Sequence, residues 1–155
     1  MNFPELPADQ AESPISFHLE DVELILPQEE ALTAWLASIA EQEQKELIEL
    51  NYIFCSDEHL LNINIEYLQH DYYTDVITFP YSETAVHGDV FISIDRVQDN
   101  ATSLGVSFEN ELLRVMAHGA LHLAGYDDKS PEKKAEMRNK EDFYLRQSTH
   151  LLTTL

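Results

Sequence analysis

The chain has 155 residues, enough for one compact domain with a real core and too few for two. Nine Lys and Arg against 29 Asp and Glu give a formal net charge of −20, which opposes general attraction to a polyanion, while 44% hydrophobic residues exclude a disordered chain. No apolar run approaches the ~20 residues of a membrane span, and the acidic, proline-containing start from Met1 to Pro14 is unlike a signal peptide, so a cytoplasmic protein without a membrane partner is expected.

A single domain over 1–155 is expected, with residues 1–13 poorly ordered. Ile15–Phe17 and Val22–Leu26 read as a short hairpin or as consecutive strands, followed by a turn at Pro27. A helix over 28–42 carries Ala31, Leu32, Trp35, Leu36, Ile39 and Ala40 on one stripe. Leu47–Cys55 is β-branched and aromatic enough for a strand. The lone cysteine, Cys55, rules out an internal disulfide and reads as a structural residue at the end of that strand. Ser56 and Asp57 can cap a helix continued by Leu60, Leu61, Asn64 and Tyr67. Asp75–Tyr81 and Gly88–Ile94 are the clearest strands. A short helix over Asp95–Leu104 stops at Gly105, Ser107 caps the next, and Ser130–Pro131 opens a last helix to about Gln147. Strands and helices mix without strict alternation. The class is α+β, one mixed sheet with helices packed on it.

The chemistry is concentrated in His118-Gly-Ala-Leu-His122-Leu-Ala-Gly125-Tyr-Asp-Asp128. Histidines four apart share a helix face, with Cβ atoms about 5–6 Å apart, which suits two imidazoles on one ion. At 100° per residue, Glu111, Arg114 and His122 fall within about 40° of His118. Leu112, Leu113, Met116, Ala120, Leu123 and Ala124 fall opposite, so the histidines face away from the core stripe. Gly125 can take the positive φ that ends the helix and turns the chain back. The spacing H-x-x-x-H-x-x-G-x-x-[H/D] is that of long zinc-binding motifs, and its register points to Asp128 as third ligand, with Asp127 the competing carboxylate. Three protein ligands to one Zn2+ leave a fourth position open, the catalytic arrangement. Gly119 stands where zinc peptidases carry their general-base glutamate, which weakens a metallopeptidase reading.

Charge is uneven. Residues 1–112 hold 23 acids and only two bases, Lys45 and Arg96, whereas 113–155 hold seven bases and six acids. Lys133, Lys134 and Arg138, with Arg114, are therefore the candidate cations for any polyanionic partner. The alternative is an ordinary solvated helix with bases spaced four from acids.

The segment His118–Asp127 resembles the signature of the YbeY family, bacterial endoribonucleases. Thr74-Asp75-Val76-Ile77-Thr78-Phe79-Pro80 and Gly88-Asp89-Val90-Phe91-Ile92-Ser93 resemble that family's two characteristic strands, and Met137 with Glu141 resembles the spacing of its final helix. The resemblance spans roughly residues 45–146. It implies a single α+β domain and one Zn2+ held by His118, His122 and position 128. It also implies cleavage of single-stranded RNA in 16S rRNA maturation and ribosome quality control, with rRNA and the ribosome or its associated proteins as partners. Two positions depart from the family pattern. The third ligand is Asp128 where the family usually has histidine, and Leu68 stands where it usually has an arginine, a loss for which Arg114 is the candidate substitute. A ribosome-associated binding module with a non-catalytic metal is the competing reading.

Overall fold

In the computed structural model the described residues are 13–26 and 28–153, with side chains through Thr149. The expected loose start, apart from Ser13, and the turn at Pro27 lie outside them. Nine elements follow in order: β1 (Ile15–Leu19), α1 (Glu29–Gln42), β2 (Leu47–Cys55), α2 (Asp57–Leu68), β3 (Val76–Pro80), β4 (Val86–Ser93), α3 (Ile94–Leu104), α4 (Phe108–Leu123) and α5 (Pro131–Thr153). The strands form one mixed sheet in the order β1-β2-β4-β3. β1 and β4 flank β2 in parallel, Phe17 opposite Tyr52 and Tyr52 opposite Val90, while β3 closes one edge antiparallel to β4.

The hairpin expected at the N-terminus is absent. β1 pairs with β2, and residues 22–26 form no strand. Their alternation is nonetheless real: Val22, Leu24 and Leu26 pack on the core while Ile25 is 93% exposed. Asp21 explains the difference. Its carboxylate accepts hydrogen bonds from the backbone N–H and hydroxyl of Ser56, tying the chain to the start of α2. The segment then runs extended without a partner strand.

Three serines cap helices as their chemistry dictates: Ser56 Oγ accepts from His59 N at 3.2 Å, Ser93 from Arg96 N at 3.1 Å and Ser107 from Asn110 N at 3.0 Å. α5 runs past the expected stop at Gln147 to Thr153, with Tyr144, Leu145 and Ser148 still buried. The main core lies between the sheet and α1, α4 and α5, and includes Trp35, Tyr52, Val90, Met116 and Tyr144. A second, smaller cluster of Cys55, Leu60 and Ile77 fills the α2 side. Burial, reinforced by Asp21 and other nearby carboxylates, pushes the Cys55 thiol up to about 12, which makes it inert as a nucleophile. Among the described residues no helix is long and apolar enough to cross a membrane.

Candidate metal centre

α4 carries the site and is fixed from two directions. Tyr52 OH, fully buried in β2, donates to the Met116 carbonyl at 2.7 Å. One turn later Gly119 rests on β4, where a Cβ would stand 2.6 Å from Val90 Cγ1. No side chain fits at Gly119, and the position faces the sheet. A peptidase-type glutamate there is sterically excluded. The opposite face of α4 opens on a cleft of about 460 Å³. Thr74, Asp75, Val76 and Thr78 form its β3 wall; Glu111, Arg114, His118 and His122 come from α4; Asp128 from the following turn; and Lys134, Met137, Arg138 and Glu141 from α5.

The turn is made as its glycine predicts. α4 ends at Leu123 with Ala124 as its C-cap, and Gly125 takes φ +114°, a value L-side chains rarely adopt. Tyr126 N returns to the Leu121 carbonyl at 3.1 Å, and Tyr126 OH donates to Glu43 at 2.6 Å. Glu43, just beyond α1, also accepts from Lys140 at 3.0 Å and from the hydroxyl of Tyr144. This carboxylate joins α1, the turn and α5, a role that nothing in its local sequence announces.

Asp127 and Asp128 diverge. Asp127 accepts from Lys129 N at 3.0 Å and pairs with Lys133 at 3.2 Å, contacts that hold its carboxyl below the usual range. Asp128 is exposed and has Oδ2 4.0 Å from His118 Nε2. On the other side of that ring, Nδ1 meets Glu141 Oε2 at 2.7 Å. Glu141, 5% exposed, also accepts from Arg114 at 3.0 Å, and Arg114 donates its second nitrogen to Asp142 at 2.7 Å. Arg114 is therefore a brace for Glu141. Lys134 and Arg138 are exposed on the cleft rim, whereas Lys133 is turned to Asp127. Leu68, at the end of α2, is not part of the cleft wall.

The two imidazoles differ electrically. Burial opposes protonation of His118, but the Glu141 hydrogen bond and the charges of Glu141, Asp128 and Asp75 overcome it and raise its proton affinity. At His122, burial and the neighbouring His118 act together and lower it. Asp75 is raised by burial and by Glu141, against the pull of His118.

The donor chemistry fits zinc. Two donors on a tetrahedral ion at ~2.0 Å stand roughly 3.3 Å apart, so the His118–Asp128 separation is within a small side-chain rotation of closure. The His118 and His122 ring centroids are 6.3 Å apart. Among the described residues no three His, Cys, Asp or Glu side chains are already gathered in ligation geometry. The carboxylate behind His118 is the usual outer partner of a metal-ligating imidazole, fixing its tautomer with Nε2 free.

A family model described as Endoribonuclease YbeY matches residues 15–149. Endoribonuclease YbeY of Cytophaga hutchinsonii is 52% identical over 136 residues, 86% of this chain and 95% of that protein. Its namesake in Flavobacterium johnsoniae is 50% identical over 129 residues, covering 83% and 92%. The solution structure of TM1509 from Thermotoga maritima shares the fold with a TM-score of 0.65 and 30% identity, over 88% of this chain and 89% of that one. On a match that takes in all four strands, the cleft and the metal-type turn, this chain belongs to the endoribonuclease YbeY family.

Proposed function

We propose that this chain is a zinc-dependent endoribonuclease that cuts single-stranded RNA in the cytoplasm, in 16S rRNA maturation and ribosome quality control. One observation carries the site: His118 is held through Nδ1 by Glu141 and turns Nε2 toward Asp128, inside a cleft rimmed by exposed Lys134 and Arg138. His118, His122 and Asp128 are the residues that would hold the ion. When bound, zinc supplies Lewis acidity toward a phosphoryl oxygen and an acidified water. Glu141 orients the imidazole, Arg114 holds Glu141 in place, and the two rim cations bind the RNA backbone.

The test is zinc content measured together with cleavage of an unstructured RNA, with and without a chelator, and casein as control. Chelator-sensitive cutting of RNA alone is the expected result. Chelator-sensitive cutting of casein alone would overturn it. The rival reading, a ribosome-associated binding module with a non-catalytic ion, draws on Leu68 at the expected arginine position and on the engagement of Arg114 by Glu141 and Asp142. It wins if zinc-loaded protein binds ribosomes yet cuts no RNA, free or ribosomal.

A further inference from the structure

Glu111 is anomalous. It is 5% exposed, and its Oε1 is closed to water with no hydrogen-bond partner, yet the residue forms part of the cleft wall two turns before His118. Buried polar atoms without a partner are few in folded proteins, and an uncompensated buried carboxylate is costly. The groups around it decide its charge. Asp75 at the head of β3 and Glu141 on α5 repel a carboxylate; Arg114 on its own helix and Arg138 on α5 attract one. Arg114 is already shared between Glu141 and Asp142, and Arg138 is exposed to solvent. Burial first, then Asp75, prevails, and Glu111 holds its proton more tightly than a carboxyl in water.

We propose that Glu111 is the acid that delivers a proton to the leaving ribose oxygen when an RNA phosphodiester is cut in this cleft. The inference rests on the endoribonuclease reading above. In the step, the oxygen of water forms the new bond to phosphorus. The bond from phosphorus to the leaving ribose oxygen breaks with its electron pair, and that oxygen takes the Glu111 proton. The attacking water releases one proton to solvent and Glu111 regains one from solvent, so each bond consumes one water. The other cleft groups are poorer donors. His118 has Nδ1 committed to Glu141 and Nε2 turned toward Asp128, Arg and Lys hold their protons too tightly at neutral pH, and Asp75 already accepts from Asn100 at 3.4 Å. Glu111 alone joins a raised proton affinity to an unpartnered carboxyl in the wall of the cleft.

The test compares zinc-loaded full-length protein with Glu111→Gln on a single-stranded RNA with one cleavable linkage. The linkage is made in ordinary form and with sulfur replacing the 3′- or 5′-bridging oxygen, because a thiolate leaves without needing a proton. The variant is expected to lose about 10²–10³-fold in kcat on the oxygen substrate with KM within about threefold, and to recover to within about tenfold of wild type on the sulfur substrate. It should also lose the alkaline decline of kcat/KM that deprotonation of the acid imposes on wild type. Glutamine keeps the side-chain shape, and unchanged zinc content and melting verify the fold. Equal losses on both substrates overturn the proposal, as does a wild-type rate on the oxygen substrate. So does loss of a second divalent ion without rescue by sulfur, which would make Glu111 a cation ligand. If wild-type protein cuts no RNA at all, the endoribonuclease reading fails and takes this inference with it.

Discussion

Glu141 holds His118 through a 2.7 Å contact between Oε2 and Nδ1, from a position 23 residues further along the chain. The contact fixes which ring nitrogen is free, so the proposed metal site depends on the docking of α5 as well as on α4. Glu141→Gln keeps the shape but weakens the acceptor. It is expected to lower zinc affinity about 10–100-fold with stoichiometry unchanged, read by competition with a chromogenic chelator. Affinity equal to wild type would show that His118 needs no such support.

The two aspartates after Gly125 have separate tasks. Asp128→Ala is expected to strip zinc, because it removes the proposed third ligand. Asp127→Ala should leave the zinc content near wild type, since that carboxylate is occupied by Lys129 N and Lys133. Asp128→His should retain zinc, imidazole being a good ligand for it. Metal analysis of the purified variants decides all three.

Gly119→Ala puts two effects in opposition. Alanine favours a helix interior over glycine by about 1 kcal/mol, but here its Cβ would meet Val90, which is fully buried and has nowhere to move. The steric term is expected to win, with a net loss of about 1–3 kcal/mol in urea unfolding. A stabilised variant would mean that α4 stands off the sheet further than described.

Glu43 gives a stability signal with a defined pH sign. Burial alone would raise its proton affinity, but donation from Tyr126, Tyr144 and Lys140 outweighs burial and holds the carboxyl below its ordinary value. A depressed carboxyl contributes stability that is present above its unfolded value and lost as pH falls through the lower folded one. Glu43→Gln should therefore cost about 2–3 kcal/mol at pH 7, a difference that narrows as pH falls past the ordinary carboxyl range and closes below the depressed folded value. A gap independent of pH would place the effect in packing.

RNA binding should be weak and its salt slope shallow, because the attractive surface is confined to a few cations on an acidic body. Reversing Lys134 and Arg138 to glutamate is expected to depress binding sharply without removing zinc. Reversing Lys133 alone should matter less, as its ammonium is already paired with Asp127. Filter binding across a salt series measures both.

Much of this was legible in the sequence because local chemistry wrote it there. The His118–His122 spacing, the positive-φ Gly125 and the serine caps are short-range devices, and each stands where its pattern placed it. The α+β class followed from the mixture of periods. The strand expected at 22–26 failed because alternation reports which residues face inward but cannot supply a partner strand. Glu43, and the coupling of Glu141 to His118 and Arg114, were hidden for another reason. A carboxylate in a helical sequence looks the same whether it faces water or closes a bridge to an element 83 or 27 residues away. Glu111 lay on the ligand face of its helix by angle alone, but its lack of a partner is a property of the packed state.

The anchoring of α5 is lopsided, and one wall of the cleft is therefore expected to breathe while the other stays still. Trp35 Nε1 donates to the Tyr144 carbonyl at 2.9 Å, and Glu43 grips Lys140 and Tyr144, all from the third turn of the helix onward. From Pro131 to Glu136 every residue is exposed, and beyond its backbone bonds this end is tied only locally, by the Ser130 cap on Lys133 N and the Lys133–Asp127 pair. Amides there should exchange with solvent fastest, while those of α4 near Met116 and Gly119 exchange slowest. Lys134 then sits on the end of the helix expected to open first, with Arg138 just past buried Met137 where the hold resumes. An incoming strand meets a yielding rim over a fixed floor.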